Sequence, residues 1–352
     1  MASFREGKVV EVLQTTPVIR VRVESDGYEL DAVGYVGMID VPEVGHRVIV
    51  NATGIDLELG TGGVGFLLWD LDGAGRIEPG PGHIVKMRYT PWQTNVMSVE
   101  APESEYHELF TEPRGLEGMP VVVCGLHSQF PAIAAGIKER DPGARVVLLV
   151  TDAGALPVRM SKLIGASTGR VIESTISVGN SFGGDLEAVN VFNGLIAARH
   201  VAQADVAIVA PGPGIVGTST AFGFSTIDQG QSLDAAGALN GRPFLALRIS
   251  SKDPRPRHEG VDAHSLTVLS VATHARTTVV VPELPEPDAQ RVEFDLKGAG
   301  IDDRHDIRLE SGREGVDYLV DLGIEPSSMG RSIREDEVPF LAAAAAGRAA
   351  VT

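Results

Sequence analysis

A single cysteine in 352 residues, Cys124, excludes an internal disulfide and any metal site built from cysteines. It lies in the apolar run "MPVVVCGL", where a buried, inert thiol is expected rather than a nucleophile. Basic charge is also scarce. Thirty Lys and Arg stand against 47 Asp and Glu, a formal net charge of −17, which opposes broad contact with nucleic acid or anionic lipid. No apolar run reaches the length of a membrane span, and "MASFREGKVVEV" carries no secretion signal. A soluble, cytoplasmic protein with neither nucleic-acid nor membrane partners is therefore expected. Two motifs are missing as well: no Gly-Lys-Ser/Thr closes a phosphate loop, and the histidines show no H-x-x-x-H pair.

What is present is an ordinary globular composition, 43% hydrophobic and 22% charged, in a chain long enough for two domains. Residues 1–100 read as short strands. "KVVEVLQT", "VIRVRVE", "YELDAVGYV", "EVGHRVIVNA", "GVGFLLWDL", "HIVKMRYT" and "NVMSVEA" succeed one another, with Asp26-Gly27 as a hairpin turn, and predict a small antiparallel β-barrel or sandwich. An oligonucleotide-binding barrel would want basic charge, whereas this stretch has eight Lys or Arg against fourteen Asp or Glu.

From residue 101 the pattern changes to strands alternating with helices. Strands are expected at 119–125, 145–151, 169–178, 204–210, 243–249 and 277–282, with helices near 128–140, 185–203, 230–240 and 263–275. This is the order of a doubly wound, mostly parallel, Rossmann-like α/β domain, which binds ligands beyond the carboxyl ends of its strands. The remainder reads as a Pro-rich connection, a short helix ending at Gly323, and the Ala-rich helix "EDEVPFLAAAAAGRAAV", placed either over the sheet or against a second subunit.

The loops at those strand ends hold the candidates. After the first come His127, an acid, base or anion ligand, and Ser128, an N-cap for the next helix. Asp152 ends the second strand and would pair with His127 if the two strands are neighbours. After the third, Gly179-Asn180-Ser181-Phe182-Gly183 fits the G-x-S-x-G pattern of a nucleophile elbow, although Asp185 is the better helix cap and delays the helix that an elbow needs.

"VAIVAPGPGIVGTSTAFGFST" spans residues 206–226, and Gly212, Gly214 and Gly217 match G-x-G-x-x-G. Pro211 and Pro213 remove amide donors, so the better anion site is Gly214, Gly217, Thr218, Ser219 and Thr220. The loop "LRISSKDPRPRHEGVDAHS" brings Arg248, Lys252, Arg255, Arg257 and His258, with Asp262 as a helix cap before His264. Guanidinium groups and amides facing one crevice would clamp a phosphate or carboxylate. A site built from His258, His264 and Asp152 ranks low, so no metal is expected, and no cofactor can be named. Arg331 and Arg334 lie in a further loop that either covers the crevice or links two helices.

Through "GLHSQFPAIAAGIKE", "VTDAGALP", "APGPGIVGTSTAFGFS" and "RISSKDPRPRHEG" the chain resembles an uncharacterised family of bacterial proteins catalogued as a domain of unknown function, over most of its length. The resemblance implies a soluble bacterial protein and brings no activity, cofactor or catalytic residue. The residues themselves favour binding of a small anionic molecule, a nucleotide or phosphorylated metabolite, with His127 and Asp152 supplying acid/base chemistry. The alternatives are a serine hydrolase using Ser181 and a non-catalytic homo-oligomeric scaffold.

Overall fold

The computed structural model describes residues 2–59, 63–75 and 80–352 and divides into two compact units, Met1–Val96 and Met97–Thr352. In the first, strands β1 (Phe4–Gln14), β2 (Val18–Ser25), β3 (Tyr28–Tyr35), β4 (Arg47–Asn51) and β5 (Gly65–Asp70) close a barrel in the order β1-β2-β3-β5-β4. A one-turn helix, α1 (Thr53–Asp56), precedes β5. All pairings are antiparallel except β3 with β5, which is parallel. Asp26 and Gly27 both take positive φ, and Ser25 pairs with Tyr28 across them, as a two-residue hairpin turn requires. The last expected strands do not join the barrel but form a separate hairpin, β6 (Ile84–Lys86) with β7 (Thr94–Val96). On the outside of the barrel Arg22 faces Glu11 and Asp31, so that its charge is matched locally.

The second unit is built on an eight-stranded, all-parallel sheet. Its strands are β8 (Pro120–Cys124), β9 (Val146–Thr151), β10 (Ser174–Val178), β11 (Leu186–Ala188), β12 (Val206–Pro211), β13 (Arg242–Ala246), β16 (Thr278–Pro282) and β17 (Asp306–Glu310), in the order β11-β10-β9-β12-β8-β13-β16-β17. Short two-stranded ribbons, β14 (Ile249–Ser250) with β15 (Gly260–Val261) and β18 (Ser327–Ser328) with β19 (Arg331–Ser332), lie outside it. Barrel plus Rossmann-like α/β is the architecture that the sequence patterns indicate.

β8, β9 and β12 are buried at every position, because helices cover both faces. Alternate residues divide between two cores. Val122, Leu148 and Val150 face α2 (Phe130–Arg140), α8 (Arg313–Asp321) and α9 (Val338–Ala350), whereas Val121, Val147 and Leu149 face α4 (Val191–His200), α5 (Gln229–Ala238) and α7 (Asp288–Gly298). The Ala-rich helix α9 is thus settled: it is buried from Pro339 to Ala350 within its own unit and is not an exposed subunit contact. Its small residues let it approach α2 at backbone distance, where a Cβ on Gly347 would collide with the Ile133 carbonyl oxygen.

Three elements depart from expectation. The strand read at 169–178 begins only at Ser174, and the helix read at 185–203 begins only at Val191, after β11 has intervened. Asp185 is not a cap, since its carboxylate accepts the Thr175 N–H and hydroxyl; Asn190 caps α4 by accepting the Asn193 N–H at 3.1 Å. β17 escaped notice because "DIRLE" is an edge strand with charged residues, not a buried apolar run.

Candidate functional site

The expected site residues leave the carboxyl ends of the strands of the second unit. After β8 the chain makes a turn of 3-10 helix, His127–Gln129, before α2. Gln129, not Ser128, organises this start. Its Oε1 accepts the Leu126 N–H at 3.0 Å, and its Nε2 donates to the Leu247 carbonyl at 3.1 Å, which ties the loop to the end of β13.

His127 is buried, with both ring nitrogens engaged. Nδ1 lies 2.9 Å from the Pro211 carbonyl oxygen, and Nε2 lies 2.6 Å from Ser161 Oγ. A carbonyl only accepts, so Nδ1 carries the hydrogen. Burial pushes the imidazole down to about 4, so the neutral ring turns the lone pair of Nε2 toward the Ser161 hydroxyl.

Ser161 ends the loop after β9 and caps α3 (Lys162–Ser167), accepting the Ile164 N–H at 3.1 Å. The pairing of His127 with Asp152 is not formed. β12 lies between their strands, and Asp152 instead accepts the Asn180 N–H at 2.9 Å. Gly179 has positive φ, and a Cβ there would press on the Asp152 carboxylate, so glycine is required at the contact. A second carboxyl joins this corner: Asp228, just before α5, feels the charge of Asp152, and burial above all pushes it up to about 6.

The elbow reading of Ser181 fails on context. Its pentapeptide is followed by the strand β11, not by a helix, and the Ser181 hydroxyl is buried and donates to the Leu156 carbonyl at 2.9 Å. An elbow needs the helix to start at the serine so that first-turn amides can meet an oxyanion. Here Phe182 instead stitches the loops after β9 and β10 together, its N–H on the Leu156 carbonyl and its carbonyl accepting the Val158 N–H, both at 2.9 Å.

The loop after β12 has two parts. At its start the Ala155 N–H donates to the Pro213 carbonyl at 2.7 Å, and the chains touch so closely that a Cβ on Gly154 or Gly212 would strike backbone. Beyond it the loop bonds to itself. The Thr218 N–H reaches the Gly223 carbonyl at 2.7 Å, Thr220 Oγ1 accepts the Gly223 N–H at 3.1 Å, and Ser225 Oγ accepts the Val216 N–H at 3.1 Å. Gly214 and Ser219 supply the positive φ that the bends need, and residues 217–222 are exposed. Much of the expected amide cradle is therefore occupied by the loop's own acceptors.

The loop after β13 is charged yet compensated. Asp253 is buried and holds Arg255 through both oxygens at 2.9 and 2.7 Å, with Arg248 and Arg331 each at 3.4 Å. The Arg255 hydrogen bonds first, then the charges of Arg255 and Arg248, keep its carboxyl far below the usual range against the opposing effect of burial. Arg331 also meets the buried Asp336 at 3.2 Å, and Lys252 Nζ donates to the Glu335 carbonyl at 2.6 Å. The loop carrying Arg331 is thereby joined to this corner, while Arg334 stays exposed. His258 Nδ1 bonds Asp262, and its Nε2 accepts the Arg257 Nε–H at 2.9 Å; Arg257, like Lys252, is exposed. Asp262 caps α6 (Ala263–Thr267) by accepting the His264 N–H at 3.2 Å.

Although β8 separates β12 from β13, their loops meet. The Phe224 ring stacks on His264 with centroids 4.0 Å apart and planes 7° from parallel, and Gly217 sits beside the same imidazole. His258 and His264 flank Asp262, not Asp152, and among the described residues no group of three or more His, Cys, Asp or Glu is arranged to hold a metal ion. Ser161 and Asp228 are not among the residues the sequence points to. Ser161 could have been found as a cap-type residue directly ahead of the short helical stretch "KLIGAS", but Asp228 carries no local signal. No helix among the described residues is long and apolar enough to cross a membrane.

No curated protein matches the chain. A family model described as "Protein of unknown function (DUF3866)" matches residues 31–347, and the chain belongs to that family.

Proposed function

We propose that the second unit binds a small anionic molecule, a nucleotide or phosphorylated metabolite, where the loops after β12 and β13 meet. The observation that carries this reading is the Phe224–His264 stack, which brings residues 217–220 and the Arg257 loop to one place at the carboxyl edge of a doubly wound sheet. Arg257 is an exposed cation there that bonds an imidazole and, among the described residues, no carboxylate, whereas the exposed Lys252 is turned to the Glu335 carbonyl; the Ser219 and Thr220 hydroxyl groups stand on the opposite loop. Arg248 and Arg255 belong to the framework, because their charges are matched by Asp253 and Asp262.

Thermal unfolding of the full chain with nucleoside triphosphates, sugar phosphates and inorganic phosphate tests the site. A ligand at a hundredfold excess over its Kd adds about 2.7 kcal/mol and raises Tm. The shift is expected to shrink in Arg257→Ala and to survive in Arg334→Ala. Absence of any shift, or a shift that Arg257→Ala leaves unchanged, overturns the reading.

A further inference from the structure

We infer that Ser161 and His127 form a nucleophile–base pair that hydrolyses activated carboxylic esters with small acyl groups. The geometry is that of an activated hydroxyl: Ser161 Oγ lies 2.6 Å from Nε2, and the opposite ring nitrogen is fixed by the Pro211 carbonyl at 2.9 Å. The carbonyl takes the orienting place that a carboxylate holds in a triad, setting the tautomer without adding charge. Capping α3 uses only an oxygen lone pair on the Ile164 N–H, so the bond from Ser161 to the imidazole is not needed for the cap.

A hydroxyl has one hydrogen and two lone pairs, so the cap and the bond to Nε2 coexist. Both residues retain only 8% of their exposure, which argues for small acyl groups. Burial keeps the imidazole neutral at physiological pH, so its lone pair is available, but as a weak base, and a weak base suits substrates whose leaving group departs easily.

In the forward step Ser161 Oγ bonds to the acyl carbon while its proton passes to His127 Nε2. The carbonyl electron pair moves onto oxygen and returns to expel the alkoxide, which takes the proton from Nε2. Water then repeats the sequence on the acyl-serine: its proton goes to Nε2, its oxygen bonds to the acyl carbon, and Ser161 leaves as the alkoxide and is reprotonated. The result is an acid and an alcohol, with no change in oxidation state.

The test reads a covalent bond and so is independent of anion binding. The full-length protein is treated with a fluorophosphonate, followed by peptide mass mapping, and p-nitrophenyl acetate turnover is measured in parallel. The adduct is expected on Ser161. Ser161→Asn can keep the cap and a donor toward His127, so it preserves the fold while abolishing labelling and turnover. His127→Gln is expected to slow labelling at least a hundredfold, the loss of a general base, and Ser181→Ala to leave it unchanged. A folded wild-type protein that takes no label, an adduct that persists in Ser161→Asn, or one that maps to another residue overturns the assignment.

Discussion

Two corners of the same sheet edge differ in how they use polar groups. After β13, Asp253 alone gathers Arg248, Arg255 and Arg331, and Asp336 takes Arg331 again, so cations that look like an anion trap are spent on one another's neighbours. After β8, β9 and β12 there is little charge, yet the titrations there are displaced: His127 is pushed down and Asp228 up, in each case chiefly by burial. The charged corner is a clamp that ties the Arg331 loop to the sheet edge. The quiet corner is governed by burial, which disfavours charge on both the imidazole and the carboxyl.

The largest effect is expected from breaking the clamp. Asp253→Asn leaves the buried Arg248 with Asp262 alone, at 3.6 Å, and removes both charge-assisted bonds from Arg255. Removing one partner of a buried ion pair costs about 3–5 kcal/mol. Calorimetric unfolding checks this, and a loss below about 1 kcal/mol would show that the arginines are held by something other than Asp253. The quiet corner is broken by bulk instead of charge. Gly212→Ala puts a methyl group against the Ala155 backbone, and Gly154→Ala does the same against Gly212. Neither neighbour is a flexible side chain that could turn aside, so overpacking is expected to cost about 1–3 kcal/mol in denaturant unfolding. Gly165→Ala meets nothing within contact distance and serves as the control.

The same contrast explains what the sequence could tell. Continuous apolar runs such as "VVLLV" betray buried parallel strands, and Asp26-Gly27 betrays its hairpin, because burial and turn geometry act on consecutive residues. β11 was hidden inside an expected helix because Asp185 looks like a cap until Thr175, ten residues earlier, is found to own it. The charge of the β13 loop was visible and its neutralisation was not, since Arg331 and Asp336 arrive from 78 or more residues away. Likewise His127 was a candidate from its strand end, whereas its partner depends on strand order. Once β12 stands between β8 and β9, the residue that reaches the imidazole is Ser161 and not Asp152.

A smaller effect distinguishes the corners by pH. The Asp228 carboxyl rises from an ordinary 3.8 to about 6, mainly through burial and further through the charge of Asp152. The folded chain therefore binds a proton that the unfolded chain has released between those values. Its contribution is most favourable below pH 4, declines as pH rises, and is unfavourable above 6. Asp228→Asn, which cannot ionise, is expected to gain about 1–2 kcal/mol over wild type at pH 7.5, with the difference closing below pH 4. Asp253→Asn has the opposite dependence. Its carboxyl is depressed, so the wild-type advantage is full above the ordinary carboxylate range and fades only as acid reprotonates it. Unfolding measured across pH 2–8 should show the Asp228→Asn difference changing between about 4 and 6 and the Asp253→Asn difference changing, with the opposite sign, only below about 4; differences that change over the same range would mean that the two corners do not differ in how burial and pairing act on their carboxylates.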